Sequence, residues 1–327
     1  MKNSLKPVEQ VVKMINNNRV LLLAGDESVL DQLPKGKWIA GTTPYFMSID
    51  GGKFSKKLIH VTDITGIQEG FKIVNYDKEN INNIVADEFE NGFTMLILPV
   101  FQPVWQQYAL NSPEYDNIYI NPIVGWVSGA DFSELGKATA KTYNGNTKSE
   151  TDGVAMHVKL PDNLVARTEI INLYKPGNSD NITFPNKGFD SSVCTVNGKV
   201  QSLYDYFTSI KSDERLPIVA NYSGAHLNTG IIWDREAKNA ILVAPVFPNV
   251  NYRIAQSSNI NYEREFEKRI AASDKQNIIF SCNCLMNYFT FRLEGKKLKG
   301  ISGPVTFGEI AYHVLNQTFV YLVVEKK

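Results

Sequence analysis

Cysteine and histidine are scarce in this sequence of 327 residues, which has three of the former and four of the latter. An odd number of cysteines argues against a disulfide framework and favours a reducing compartment. The histidines occur in none of the spacings that mark zinc proteases or covalent haem attachment. The sequence therefore argues against the common metal-dependent and disulfide-rich classes of protein.

Net charge and long apolar runs are missing as well. Lysine plus arginine number 34, as do aspartate plus glutamate, so no overall charge draws the protein toward nucleic acid or acidic lipid. No run of about 18 apolar residues predicts a transmembrane helix, and the apolar residues 20–24 are too few and too far from the start for a secretory signal. We therefore predict a cytoplasmic protein with neither nucleic acid nor membrane as partner.

One pattern recurs three times along the chain: an amphipathic helix runs into an apolar strand, and a second strand ending at glycine follows. The predicted helices span residues 8–17, 81–90 and 262–273, the first strands span residues 20–25, 95–99 and 277–282, and the second strands end at Gly41, Gly125 and Gly303. The spacing leaves room for a short helical crossover, so each pair of strands is predicted to be parallel. We hypothesise that the three segments are repeats of one unit.

The middle of the chain has a different pattern. Short apolar alternations with turn signals predict antiparallel strands over residues 153–248, interrupted by a helix at residues 200–210. Residues 153–160 and 165–173 are interpreted as a hairpin, near which we place a boundary between halves 1–163 and 164–327. The fold class predicted is mixed α/β, with extensive mixed sheets and flanking helices, rather than a doubly wound nucleotide-binding fold.

Small polar residues near the end of the chain are candidates for a site. Cys282 and Cys284 would share one face of a strand, but zinc needs four ligands and no second cysteine pair occurs, so no metal is predicted. A structural role for the two thiols is the main interpretation, and a place in a ligand pocket is the alternative.

Glu309 and His313 are four residues apart. If a helical turn begins after Gly308, they share a face, and the carboxylate would orient the imidazole for a ligand contact or a proton transfer. An exposed pair with no function is the alternative interpretation.

Gly41 and Thr42 close a predicted strand. A threonine nucleophile would have to become an N-terminus, which nothing in the sequence indicates, so a strand-end role is preferred. Ser281 lacks the Gly-x-Ser-x-Gly context of a hydrolase nucleophile.

The order of these motifs resembles the FIST (F-box and intracellular signal transduction) domain family. The matching segments are Leu21-Leu22-Leu23-Ala24-Gly25, Trp38-Ile39-Ala40-Gly41-Thr42-Thr43, Ile123-Val124-Gly125, Phe280-Ser281-Cys282, Phe307-Gly308-Glu309-Ile310 and Asn316-Gln317-Thr318. The resemblance implies a two-part architecture and a cytoplasmic module that binds a small ligand and passes a signal on. One branch of that family binds haem, but no histidine here matches its ligand; no cofactor is predicted, and haem is a minor alternative.

The sequence departs from the family at the strongest motif. The family places a glycine-arginine step after Phe-Ser-Cys, whereas Asn283 and Cys284 stand here. The missing basic side chain argues against an anionic ligand at that position. No fused output domain is predicted, so a signalling protein in trans is the expected partner.

The resulting prediction is a sensory, ligand-binding protein without a predicted catalytic residue. Its ligand site is predicted at the strand ends, with glycine backbone and small polar groups as hydrogen-bonding partners and aromatic walls that exclude water. The residues of that site are Gly41, Thr42, Ser281, Cys282, Gly308, Glu309 and His313. The alternatives are a hydrolase or acyl-transfer enzyme that uses Cys282 or Thr42 with His313, and a scaffolding protein.

Overall fold

Three six-stranded sheets with the same order of strand pairing form the body of the protein in a computed structural model. The structure describes residues 3–134, 136–222, 225–256, 260–270, 274–298 and 300–327. The chain supplies them in three consecutive units. Unit 1 consists of β1 (Asn3–Pro7), α1 (Val8–Asn16), β2 (Leu21–Gly25), α2 (Glu27–Leu30), β3 (Trp38–Thr42), β4 (Tyr45–Ser48), β5 (Gly51–Phe54) and β6 (Leu58–Asp63). Unit 2 consists of β7 (Gly70–Tyr76), β8 (Gly92–Pro99), α3 (Pro103–Asn111), β9 (Ile123–Ser128), β10 (Thr142–Asn144), β11 (Thr147–Ser149) and β12 (Gly153–Lys159), with 3-10 helices at Ile81–Ile84, Ser112–Glu114 and Phe132–Glu134.

Unit 3 begins with β13 (Leu164–Asn172) and is interrupted by an insertion, residues 173–255. The insertion contains β14 (Ile182–Thr183), β15 (Cys194–Val196), β16 (Lys199–Gln201), α4 (Leu203–Ser209), β17 (Ile218–Tyr222), β18 (Ala225–Thr229), β19 (Ile231–Asp234), β20 (Asn239–Leu242) and β21 (Tyr252–Ile254). Unit 3 then resumes with α5 (Tyr262–Arg269), a 3-10 helix at Asp274–Gln276, β22 (Ile278–Cys284), α6 (Leu285–Thr290), β23 (Gly303–Thr306), β24 (Glu309–Ala311), β25 (His313–Leu315) and β26 (Thr318–Lys326). The fold class is thus mixed α+β, as the sequence predicts.

Each unit contributes four strands to one sheet and a two-stranded hairpin to the edge of the sheet of another unit. The four strands are ordered β1-β6-β2-β3, β7-β12-β8-β9 and β13-β26-β22-β23, and the last pair of each series is parallel. Hairpin β4–β5 joins β23, hairpin β10–β11 joins β3, and hairpin β24–β25 joins β9. The predicted parallel pairs are therefore confirmed, and the shared topology supports three repeats of one unit arranged in a ring.

Three hydrogen bonds of 2.6–3.2 Å close this ring, one between each pair of units. They run from Gly129 N to Thr42 O, from Phe307 N to Val127 O and from Thr43 Oγ1 to Val305 O. In units 2 and 3 the donor is the backbone N–H of the residue that follows Ser128 or Thr306. The acceptors Thr42, Val127 and Val305 occupy equivalent positions, and the donors Gly129 and Phe307 lie two residues after Val127 and Val305. In unit 1 the residue two after Thr42 is Pro44, which has no N–H, and the hydroxyl of Thr43 donates instead.

The inner faces of the three sheets share one apolar core around the ring axis. It includes Leu22, Ile39, Met95, Trp126, Phe280 and Leu322, and the rings of Trp126 and Phe280 stack at 5.6 Å. The outer faces pack against α1 and α2, against α3, and against α5, α6 and the insertion. Burial on both faces explains why residues 21–25 in β2 and 95–99 in β8 form uninterrupted apolar runs.

The predicted hairpin over residues 153–173 is wrong. Both segments are strands, but β12 pairs with β7 and β8, whereas β13 pairs with β26, so they lie in different sheets. The predicted boundary at 163/164 stays a prediction, and the chain on its two sides exchanges hairpins β4–β5 and β24–β25. One of the turn signals within residues 153–248, Ser223-Gly224, and the end of the helix predicted over residues 262–273 lie outside the described residues.

Candidate functional site

A cavity of about 280 Å³ lies where the parallel strands of unit 3 end. Cys284 and Thr306, the last residues of β22 and β23, lie at its floor, next to Val100, which follows β8. The insertion covers it from the other side. We call it the strand-end cavity, and its lining residues are Val100, Phe132, Glu214, Arg215, Ile231, Ile232, Trp233, Val243, Cys284, Leu285, Met286, Phe289, Thr290, Thr306 and Phe307.

Aromatic rings form one wall of the strand-end cavity. The ring of Phe132 lies 5.5 Å from that of Phe289 and 6.4 Å from that of Phe307. Phe132 and Phe289 are 38% and 45% exposed, so they mark the mouth of the cavity. An apolar wall with a few polar groups at its base is typical of small-molecule sites.

Beneath the cavity lies a fully buried group of polar side chains, which we call the polar cluster. It comprises Asn283, Cys284, Asn287, Glu309, Asn316, Gln317 and Thr318. Asn287 Nδ2 donates to Thr318 O at 3.2 Å and to Asn283 Oδ1 at 3.3 Å. Gln317 Nε2 donates to Arg215 O at 3.2 Å, which connects the cluster to the rim of the cavity.

Glu309 is the acidic member of the polar cluster. Its Oε2 accepts hydrogen bonds from Thr318 N at 3.1 Å and from Thr318 Oγ1 at 2.7 Å. Burial raises the pKa of Glu309 to about 8, against the opposing effect of these hydrogen bonds. The Cys284 thiol lies beside this carboxyl group, and burial, followed by the charge of Glu309, raises the pKa of the thiol.

Several polar atoms of the cluster lack a hydrogen-bond partner among the described protein atoms. They are Asn283 Nδ2, Asn287 Oδ1, Glu309 Oε1, Asn316 Oδ1 and Gln317 Oε1. Buried polar groups in native proteins are almost always paired with protein, water or ligand. The cluster therefore supplies donors and acceptors beyond those that the fold itself uses.

Three of the predicted site residues lie together next to the strand-end cavity. Cys282 Sγ lies 3.4 Å from Thr306 Oγ1, which in turn donates to Gly308 O at 3.0 Å. Glu309 contacts Cys284. Cys282, Gly308 and Glu309 thus surround the floor of the cavity, although Thr306 and Cys284 are the residues that line it.

Three others hold the sheets together. Thr42 Oγ1 accepts from Lys141 N at 2.9 Å and so ties β3 to the residue that precedes β10. Gly41 leaves room for Trp126, because a Cβ at position 41 would lie 2.7 Å from the indole nitrogen. Ser281 donates to Ser302 O at 3.3 Å. None of the three lines the strand-end cavity.

The predicted helical turn that would pair Glu309 with His313 is wrong. The segment is the hairpin β24–β25, and it turns at Tyr312, whose φ is +62°. Glu309 therefore pairs with Leu315, while the ring nitrogens of His313 lie 3.2 Å from Ser112 Oγ and 2.5 Å from Tyr119 OH. Burial lowers the pKa of His313 to about 4.

The nucleophile and base of the enzyme alternative are not brought together. Cys282 lies against Thr306 and Gly125 O, and Thr42 against Lys141, whereas His313 faces a different cavity. Among the described residues, no group of three or more histidine, cysteine, aspartate and glutamate side chains is placed to hold a metal ion.

The insertion supplies the residues that sequence reasoning missed. Trp233, Ile231 and Arg215 close the strand-end cavity although they precede its floor by about 50 residues or more. Cys284 and Thr306 lie two and three residues beyond the predicted ends of the parallel strands at Cys282 and Gly303, so these strand ends indicated their approximate position. No such signal marks the insertion residues.

The model of one protein family, described as a family of unknown function (DUF6976), matches residues 6–325. No curated protein matches the chain significantly. In the part of the chain that the structure describes, the helices all fall short of the length and apolarity needed to cross a bilayer.

Proposed function

Because the chain belongs to the DUF6976 family, whose function is unknown, we propose from the geometry that it is a sensory protein that binds a small ligand in the strand-end cavity. The observation that carries this proposal is the position of the cavity at the carboxyl ends of β22 and β23, with Cys284 and Thr306 at its floor. In open α/β sheets, ligands bind outside the carboxyl ends of parallel strands.

Size and polarity point to a ligand class. A volume of about 280 Å³ lies just below the usual range of ligand pockets, about 300–1,000 Å³, and fits a molecule with a single ring or a short branched chain. The walls are aromatic and aliphatic, so the body of the ligand is apolar. Its polar group would face the Thr306 hydroxyl and the Cys284 thiol.

The floor of the cavity is uncharged at neutral pH. The raised pKa of Glu309 keeps its carboxyl group mainly protonated, and the thiol of Cys284 is neutral. Arg215, at the rim, is already paired with Asp213, at 2.7 Å between Nη2 and Oδ2. We infer a ligand without a net charge at its buried end, in agreement with the missing basic residue after Cys282.

The insertion offers a way to transmit binding. A ligand in the strand-end cavity would contact the body through Thr306 and the insertion through Trp233 and Val243. Its affinity would therefore depend on how the insertion is seated, and binding would shift the population between two arrangements. A partner protein in trans would recognise one of them. A FIST-like role of this kind remains a proposal.

Native mass spectrometry of the protein purified from its own host tests the proposal, together with an absorbance scan for a chromophore. We expect a retained small molecule that is lost in Thr306→Val and in Phe289→Ala. Thr42→Val is the matched control, because Thr42 is also a buried strand-end hydroxyl but lies outside the cavity. Retention of the molecule by both cavity variants would contradict this site.

A further inference from the structure

A second cavity, of about 380 Å³, separates the insertion from the body of the protein. Leu227, Thr229 and Phe247 of the insertion face Ile170 and His313 of the body across it. We call it the interface cleft. Pockets between separately built parts of a chain are a common location of ligand sites.

Among the described residues, those that line the interface cleft include no Asp, Glu, Lys or Arg. Of its histidine and tyrosine side chains, His313 is the one that would ordinarily titrate nearest neutral pH, and its burial keeps the ring neutral there. A charged molecule in this cleft would lose its hydration without gaining an opposite charge. The cleft thus selects against ions of either sign.

One polar group in the cleft can be shared with a ligand. His313 Nε2 is 2.5 Å from the hydroxyl of Tyr119, and Tyr119 is 61% exposed. An exposed phenol can exchange this hydrogen bond for one with water at little cost. By contrast, the Asn228 amide is committed, since its Nδ2 donates to Asn172 Oδ1 and to Asn316 O.

We propose that the interface cleft is a second binding site, for an uncharged and mainly apolar molecule with one hydrogen-bonding group that takes the place of the Tyr119 hydroxyl at His313. This site is separate from the strand-end cavity and does not depend on the function proposed for it. The two share a boundary, because Thr229 lines the cleft and Ile231, two residues later, lines the strand-end cavity.

A pair of fluorescent probes that differ by one charge tests this site. N-phenyl-1-naphthylamine is uncharged, apolar and carries one N–H group, whereas 8-anilinonaphthalene-1-sulfonate has the same rings with a sulfonate added. We expect the fluorescence of the uncharged probe to rise and saturate with the wild-type protein. The anion should bind at least about tenfold more weakly, which corresponds to about 1.4 kcal/mol.

Substitutions that place a larger side chain in the interface cleft, from the insertion or from the body, test whether the probe binds there. Leu227→Trp and Ile170→Trp should each weaken binding of the uncharged probe at least about tenfold, whereas Thr290→Trp, in the strand-end cavity, should leave it unchanged. Thermal unfolding of each variant verifies that it is folded, and two independent filling variants protect the test if one fails to fold.

Three results would overturn this inference. They are the absence of any fluorescence rise with the uncharged probe, equal affinity for the anion, and unchanged affinity in a folded cleft-filling variant. Loss of binding in Thr290→Trp alone would place the probe in the strand-end cavity, which would refute the second site while supporting the first.

Discussion

The thiol of Cys284 lies against the carboxyl group of Glu309, and both side chains are almost completely buried, with exposures of 1% and 0%. Two acidic groups in contact away from water favour their protonated forms, because either charge would be poorly solvated. The carboxyl group of Glu309, next to the floor of the strand-end cavity, therefore loses its proton only when the pH rises toward about 8. Its consequences are measurable without knowledge of the ligand.

Glu309→Gln should change how stability depends on pH. The pKa of Glu309 is raised from 4.5 to about 8 in the folded protein, so between these values the unfolded chain loses a proton that the folded chain keeps. The free energy of unfolding of the wild type therefore falls as pH rises from about 5 to 8, by an amount on the order of a few kcal/mol. The glutamine variant lacks this decline.

Urea unfolding at pH 5 and pH 8 measures this difference. Glu79→Gln, at an exposed position, is the control and should follow the wild type. Parallel pH profiles for the wild type and Glu309→Gln would show that the carboxyl group ionises in the folded state as it does in water.

The thiols should react slowly in the native protein. Cys194, Cys282 and Cys284 are free and buried, and burial raises the pKa of each thiol, so little thiolate forms at pH 7. Iodoacetamide should label all three rapidly only after unfolding, as followed by mass spectrometry of peptides. Rapid labelling of one cysteine in the folded protein would instead favour the thiol-enzyme alternative.

Gly230→Ala should narrow the strand-end cavity. A Cβ at this position would lie 2.6 Å from Met286 Sδ and 3.0 Å from Val243 Cγ2. The flexible Met286 side chain would have to move, and Met286 lines the cavity. We expect the retained ligand to bind several-fold more weakly by isothermal titration.

Gly70→Ala is the matched control for that substitution, because a Cβ there meets nothing within 4 Å. If both alanine variants bind like the wild type, Met286 does not contribute to the wall of the site.

Thr43→Val should lower the free energy of unfolding, because it removes the hydrogen bond between units 1 and 3. The substitution leaves Val305 O without the donor that closes units 1 and 3, and it also removes the acceptor for Tyr45 N. An unpaired buried backbone group costs about 1–3 kcal/mol. We expect a loss of this size in urea unfolding.

Adding Pro44→Ala should recover part of that stability. Residue 44 would then carry an N–H at the position from which Gly129 and Phe307 donate in the other two units. A double variant that is no more stable than Thr43→Val would show that the three closing positions are not equivalent.

The sequence predicted the parallel pairs because the spacing between the two strands of each pair leaves room for a crossover connection. It could not predict the exchange of hairpins, since strands of three or four residues such as β10 and β24 do not specify a partner. A hairpin also replaced the turn of helix expected at Glu309, because Tyr312 adopts a left-handed backbone that its residue type does not favour.

The site was predictable in part for a similar reason. Cys282, at the end of a predicted apolar strand, falls near the floor of the cavity, and so does Glu309, the first residue of β24. The roof depends on how the insertion folds back over β22 and β23, and this packing is set by contacts between residues far apart in sequence. Thr42 and Ser281 also end or occupy such strands, but their hydroxyl groups bond to backbone instead.

Strand β26 lies between β13 and β22 in the third sheet. During synthesis on the ribosome, β13 and β22 must therefore wait with exposed edges until Thr318–Lys326 has emerged. Hairpin β24–β25 completes the second sheet only when His313–Leu315 has emerged, shortly before β26 completes the third. Of these three sheets, the first is therefore the one that can be finished well before the end of synthesis. We expect nascent chains of this protein to be clients of chaperones and to acquire protease resistance in one late step.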